Sequence, residues 1–195
     1  MIKEITNWKL KIGNYNRGMT YVELIVVLSI FSIMTSVVLF NYGAFQAKVD
    51  IKNLASDIAL KIVEAQKSAL SGKLSTQVFI SKPAYGLYFN TSPSTSFIYF
   101  ADFNNNKIYD ETPLDTILIT KNNSISRIDS YLNSFPTQIL TPMSIIFKRP
   151  DSSAVFSYAD GVPLIGSDYI QITISSSGSV TAVVKIYPSG RIQIN

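Results

Sequence analysis

Residues 16–34 read NRGMTYVELIVVLSIFSIM, and this stretch decides how the rest of the chain is interpreted. It places one acidic residue, Glu23, at the start of a long apolar segment. Residues 24–40 carry no charged side chain, and the uncharged run continues to residue 47, so it is 17 to 24 residues long. A helix of that length spans roughly 25 to 36 Å, which brackets the hydrocarbon thickness of a bilayer, about 30 Å. The segment therefore predicts a single membrane-spanning helix.

Composition narrows the classes of function. The 195 residues are 47% hydrophobic, which leaves room for one ordinary domain with a real core. The sequence contains no cysteine and no histidine. A thiolate nucleophile, a Ser-His-Asp arrangement and the commonest transition-metal ligand are therefore excluded. We expect a protein that is not an enzyme.

Positive charge is concentrated before the apolar segment. Residues 1–18 carry Lys3, Lys9, Lys11 and Arg17 against Glu4, a balance of +3 out of the net +4. Basic residues on this side of a span indicate that the N-terminus is cytoplasmic. The remaining 13 basic and 12 acidic residues balance to +1. We therefore expect no nucleic-acid partner.

Two simple interpretations of the apolar segment are a secretory signal peptide and a plain single-pass anchor. A signal peptide has an apolar region of about 7 to 15 residues before a small-x-small cleavage site. This run is longer, and Phe45 and Gln46 separate the small residues Ala44 and Ala47. If Glu23 sits near the centre of the span, its carboxylate costs about 2.5 to 3.5 kcal/mol and needs a cationic partner. A plain anchor instead predicts a membrane-anchored extracytoplasmic binding domain.

The motif RGMTYVEL at residues 17–24, followed by the apolar run, resembles the class III signal of type IV pilins and type II secretion pseudopilins. The resemblance implies that a prepilin peptidase cuts after Gly18 and that the new N-terminal residue, Met19, is then methylated. The usual residue at that position in the family is phenylalanine. Glu23 becomes the fifth residue of the mature chain. Its implied role is to pair with the Met19 ammonium of a neighbouring subunit during assembly.

The same resemblance implies an organisation and a set of partners. Residues 1–18 form a cleaved leader, residues 19–47 a transmembrane and filament-core helix, residues 48–72 an amphipathic helix, and residues 73–195 a β-rich head. The implied fold is α+β and type IV pilin-like. The implied partners are the peptidase and methyltransferase, other pilin or pseudopilin subunits, and an assembly platform in the membrane. The precursor would cross the cytoplasmic membrane once, and the assembled subunit would lie in an extracytoplasmic or cell-surface filament.

A period of 3.6 residues follows the span and predicts an amphipathic helix. Its apolar positions are Ile51, Leu54, Ala55, Ile58, Ile62, Ala65 and Ala69. Gly72 is placed to end this helix as a C-terminal cap. One continuous helix over residues 20–71 would be roughly 78 Å long, so its second half must pack on a globular head. Residues 41–43, Asn-Tyr-Gly, interrupt the strong helix formers between the two halves.

Short β-rich runs separated by Gly, Pro, Asn and Ser clusters predict an antiparallel head. They lie at residues 76–80, 85–89, 96–100, 116–120, 144–148, 154–158, 169–174, 182–187 and 191–194. Residues 188–190, Pro-Ser-Gly, predict a tight turn before the last run. The head aromatics alternate along these strands, so we expect most of them in the core.

Residues 100–111, FADFNNNKIYDE, are the part of the head that suggests chemistry. Their oxygen-bearing side chains alternate as calcium ligands do, although Lys107 replaces the glycine and Pro113 the glutamate of an EF-hand loop. The candidate ligands are Asp102, Asn104, Asn106 and Asp110. A polar turn in which Asn side chains cap the backbone is the other interpretation, and it needs no cofactor. The stretch also resembles the Asp/Asn-rich hairpin of H-type minor pseudopilins, which favours a minor subunit.

The C-terminal sequence YPSGRIQIN resembles the closing hairpin of the same subgroup, in which some members bind DNA through basic residues near the end. Only Arg191 is basic after Lys185 in this chain. Nucleic-acid affinity depends on several cationic contacts, so we expect a structural strand here.

Overall fold

The computed structural model describes residues 18–73, 82–90, 94–176 and 180–195. Contacts among the described residues divide the chain into two units, with the boundary between Tyr42 and Gly43. Most of the predicted leader, residues 1–17, and the predicted strand at residues 76–80 lie outside the described residues.

Helix α1 runs from Tyr21 to Ser71 and includes the whole apolar segment. Among the described residues it is the one helix that is long and apolar enough to cross a membrane. Four polar side chains in the apolar segment donate hydrogen bonds of 2.8 to 3.0 Å to backbone carbonyls four residues earlier; they are Ser29, Ser32, Thr35 and Asn41. A bilayer offers no hydrogen-bond partners to such donors, so a helix in hydrocarbon must satisfy them internally. These four side chains meet that requirement.

Gly72 ends α1 as predicted. Its φ of 62° lies in the left-handed region, where glycine carries no steric penalty. Its N–H donates to the Ala69 carbonyl at 3.2 Å, and the Lys73 N–H donates to the Ser68 carbonyl at 3.2 Å. This pair of bonds is a Schellman motif, which satisfies carbonyls that the helix leaves without partners.

The predicted apolar stripe of α1 forms one wall of the core. Its buried members are Ile51, Ala55, Ile58, Ile62, Ala65 and Ala69, and Leu54 packs against them half-buried. The same core contains inward-facing side chains from both sheets of the head, such as Leu87, Ile145, Ile172 and Val184. This burial explains why the second half of the helix has a 3.6-residue period.

The head contains two antiparallel five-stranded sheets. The strands are β1 Ala84–Phe89, β2 Ser96–Asp102, β3 Pro113–Leu118, β4 Ser124–Leu132, β5 Phe135–Gln138, β6 Met143–Phe147, β7 Ala154–Tyr158, β8 Tyr169–Ser175, β9 Thr181–Ile186 and β10 Ile192–Ile194. The order is β3-β2-β1-β6-β7 in the first sheet and β10-β9-β8-β4-β5 in the second. The coarse prediction of a long N-terminal helix on an antiparallel β-rich head is confirmed.

Strands β4 and β5 were not predicted, and a local feature of each strand explains why. A register shift between Ile125 and Arg127 breaks the alternation of β4, so its apolar residues do not follow a period of two. All four residues of β5 are exposed, and one of them is Pro136. An exposed edge strand with proline carries no burial pattern in its sequence.

The aromatic residues of β1 and β2 lie in the core, as expected. Tyr85, Phe89, Phe97, Tyr99 and Phe100 are buried, and Tyr88 is half-buried.

The predicted turn at residues 188–190 is confirmed and is attached to the helix. The Gly190 N–H donates to the Tyr187 carbonyl at 2.8 Å. From α1, the Gln66 Nε2 group donates to the Ser152 carbonyl at 2.8 Å and to the Gly190 carbonyl at 3.4 Å. One helix side chain thus fixes two loops of the head.

Candidate functional site

The Gly18–Met19 bond lies just outside the helix. Residues 18–20 are exposed and non-helical, and α1 begins at Tyr21. A Cβ placed on Gly18 would meet no other atom within 4 Å. Proteases bind substrates in an extended form, so a bond in this position is accessible to one.

Thr20 caps the helix. Its Oγ1 accepts a hydrogen bond from the Glu23 N–H at 3.2 Å, and its carbonyl accepts one from the Leu24 N–H at 3.1 Å. This is the threonine half of a capping box, in which Glu23 occupies the third helical position. Met19 and Leu24 occupy the two positions of a hydrophobic staple. This capping motif was not predicted, although its signal, T-x-x-E between apolar residues, is present in the sequence.

The Glu23 carboxylate has no hydrogen-bond or ion-pair partner among the described residues, since only its backbone N–H is engaged. Its position in the first turn is favourable, because the N-terminal end of a helix carries a partial positive charge. That interaction is worth only about 0.3 to 1 kcal/mol at an exposed site. The carboxylate is therefore available to an external cation, and every large side chain of the surrounding segment is exposed.

Asp102 organises the loop after β2. Its side chain is 1% exposed and accepts hydrogen bonds from the backbone N–H groups of Asn106 at 3.2 Å and Lys107 at 2.9 Å. Burial raises the pKa of the Asp102 carboxyl, and the bonds from the Lys107 and Asn106 amides oppose that rise. Asn105 and Lys107 have φ values of 57° and 68°, which lets the chain wrap around this carboxylate.

The four predicted calcium ligands do lie together, but they bind one another. Asn104 Oδ1 accepts the Asn106 N–H at 3.0 Å, and Asn106 Oδ1 accepts the Ile108 N–H at 2.8 Å. Their amide nitrogens therefore face the Asp110 carboxylate, to which they donate at 2.8 and 3.3 Å. No group of three acidic, histidine or cysteine residues suited to a metal occurs among the described residues. The arrangement matches the polar-turn interpretation.

Apolar contacts also fix this loop on the outer face of the first sheet. The Tyr109 ring lies 4.9 Å from that of Tyr88 and 5.4 Å from that of Phe100. The buried Ser157 hydroxyl donates to the Lys107 carbonyl at 3.0 Å. These contacts attach the loop to the first sheet.

Calcium is therefore expected to leave the melting temperature of the protein unchanged. A bound ion would have to turn both asparagine oxygens away from the backbone N–H groups that they satisfy. Thermal unfolding of the full-length protein in detergent, with millimolar calcium and with a chelator, measures this directly. A rise in melting temperature that Asp110→Asn abolishes would contradict the expectation and support the calcium interpretation.

A ladder of tyrosines lies on the outer face of the second sheet. The Tyr131 and Tyr169 rings are 4.6 Å apart and those of Tyr169 and Tyr187 are 5.4 Å apart. The Arg191 guanidinium lies 3.9 Å from the Tyr187 ring centre, and the Lys185 ammonium lies 5.0 Å from that of Tyr169. Because the ring faces are already in contact with one another or with cations, they stabilise the sheet rather than offer a stacking surface.

An open apolar pocket of about 540 Å³ lies between residues 138–142 and the end of β7. Its walls include Ile139, Leu140, Pro142 and Tyr158, with Asp160 at one side. A site of this size is large enough for a small molecule.

We compared the chain with models of known protein families, with curated proteins and with solved structures, and none of the three comparisons found a match.

Proposed function

We propose that this protein is a structural subunit of a type IV pilus-like filament or of a type II secretion pseudopilus. A prepilin peptidase removes residues 1–18, Met19 is methylated, and the subunit assembles through its N-terminal helix. The resemblance of the Asp102–Asp110 loop to that of H-type proteins favours a minor subunit. The protein has no catalytic role in this proposal.

The observation that carries the proposal is the unpaired Glu23 carboxylate at the start of an exposed apolar helix. A free carboxylate in hydrocarbon is costly, and the sequence places it at a fixed distance from an accessible Gly18–Met19 bond. Cleavage of that bond creates an ammonium group on Met19. One subunit then supplies the cation that the carboxylate of its neighbour needs.

The apolar segment supports assembly of an open-ended kind. Its exposed side chains include Phe31, Met34, Leu39 and Phe40. They can exchange lipid contacts for contacts with the same segment of other subunits. Pairing Glu23 of one copy with Met19 of the next uses two different surfaces, and such heterologous contacts produce filaments when they do not close into a ring.

Intact-mass analysis of the protein, produced with and without a prepilin peptidase, tests the processing step. We expect the peptidase to yield a chain that begins at Met19, with one methyl group if the methyltransferase is present. A chain that stays uncut, or that begins after Ala47, would instead support a plain anchor or a signal peptide.

The apolar pocket at residues 138–142 favours a second candidate, a membrane-anchored extracytoplasmic binding domain. In that case the helix serves only as an anchor and Glu23 has no partner to find. A small ligand that binds the uncut protein, and whose binding is lost when Tyr158 is replaced, would favour this alternative.

A further inference from the structure

We infer that Thr20 is a positioning residue for cleavage: its hydroxyl sets the start of α1 and thereby keeps the Gly18–Met19 bond out of the helix. The inference rests on the proposed function, because it concerns the substrate of the prepilin peptidase. In the reaction, hydrolysis adds one water across the bond and leaves a carboxylate on Gly18 and an amine on Met19.

The contacts of Thr20 show how the helix start is fixed. A helix leaves its first backbone N–H groups without carbonyl partners. The Thr20 hydroxyl satisfies that of Glu23, at 3.2 Å, and the Thr20 carbonyl makes the first regular helical bond, to Leu24, at 3.1 Å. A capping residue keeps a non-helical backbone, so the chain on its N-terminal side is not drawn into the helix.

Without the hydroxyl, the Glu23 N–H needs another acceptor. The acceptor that α-helical geometry provides is the carbonyl four residues earlier, which belongs to Met19. Using it makes Met19 the capping residue and lengthens the helix by one residue, so that the helix starts directly beside the bond that the peptidase cuts. A peptidase that requires an extended chain would then have to unwind this turn before cleavage.

Three replacements separate capping from recognition of the threonine itself. Thr20→Val keeps the shape of the side chain but has no acceptor. Thr20→Ser and Thr20→Asn both cap helices well, and asparagine differs from threonine in shape. Thr20→Val should be cut about fivefold more slowly, the factor that corresponds to an N-cap worth about 1 kcal/mol. The serine and asparagine variants should be cut within about twofold of the unaltered rate.

The measurement is the initial rate of leader removal from the full-length precursor in detergent, with a purified prepilin peptidase. Circular dichroism checks that all variants are equally folded. An unaltered rate for Thr20→Val overturns the inference, and so does an asparagine variant that is as slow as valine, since the peptidase would then read the threonine directly. If the unaltered precursor is not cut at all, the proposed function itself fails.

Discussion

Subunits that carry Glu23→Gln are expected to insert into the membrane and to lose their leader, but not to form filaments. The glutamine keeps the size of the side chain and removes the charge that, in our proposal, pairs with the Met19 ammonium of a neighbouring subunit. At about 4 Å and an effective dielectric near 20, that pair gains on the order of 4 kcal/mol before desolvation is subtracted. If half of this free energy remains after desolvation, removing the pair should lower the assembled fraction by about thirtyfold. Quantifying the subunit in the filament fraction and in the membrane fraction measures the effect.

Ser29→Ala is a matched control in the same helix. It also removes a polar group, but the Ser29 hydroxyl is satisfied internally by the Ile25 carbonyl at 2.8 Å. We expect it to assemble normally. If the glutamine variant assembled as well as this control, Glu23 would act only through its own helix terminus.

Gly190→Ala should destabilise the head strongly. The φ of 80° at Gly190 suits glycine, and a Cβ there would overlap the Ser152 carbonyl oxygen and the Gln66 amide. Strain of the backbone and overpacking against a fixed carbonyl together cost on the order of 4 kcal/mol. For a protein of this size, that lowers the melting temperature by roughly 10 °C. Thermal unfolding of the full-length protein in detergent, followed by circular dichroism, gives the value.

Gly166→Ala is the matched control, because it measures the cost of backbone strain without steric overlap. Gly166 has a φ of 87°, and a Cβ there would meet nothing within 4 Å. We expect a cost of about 1 to 2 kcal/mol for this variant. Equal losses of melting temperature in the two variants would mean that the packing of the turn at residues 188–190 against Ser152 and Gln66 does not stabilise the head.

The helix was predictable because its two halves carry strong and different patterns. The uncharged run has the length and composition that a bilayer requires of a spanning helix. The stripe from Ile51 to Ala69 has the period of a helix with one face buried against a core. The positive φ of Gly72 follows from the need to end a helix. Most strands of the head were found because they are β-rich runs bounded by Gly, Pro, Asn and Ser clusters. Burial alternates along β8 and β9, whereas every residue of β6 is buried.

Other features depend on contacts that no local pattern encodes. The division of the strands between two sheets depends on pairings between residues far apart, such as Ile128 with Ile172. The candidate calcium ligands were grouped correctly, but the sequence does not show that the oxygens of Asn104 and Asn106 are used by the backbone. The capping role of Thr20 could have been predicted from its spacing to Glu23. Residues 17–24 were interpreted only as a processing signal instead.

The most direct test of the central claim is N-terminal sequencing of this protein in an isolated filament fraction. The claim is that one cleavage creates the cation which the unpaired carboxylate requires. It predicts that the assembled chain begins at Met19 and that the full-length precursor is confined to the membrane. Filaments built from uncut chains, or cut chains that never leave the membrane in cells with a working assembly system, would contradict it.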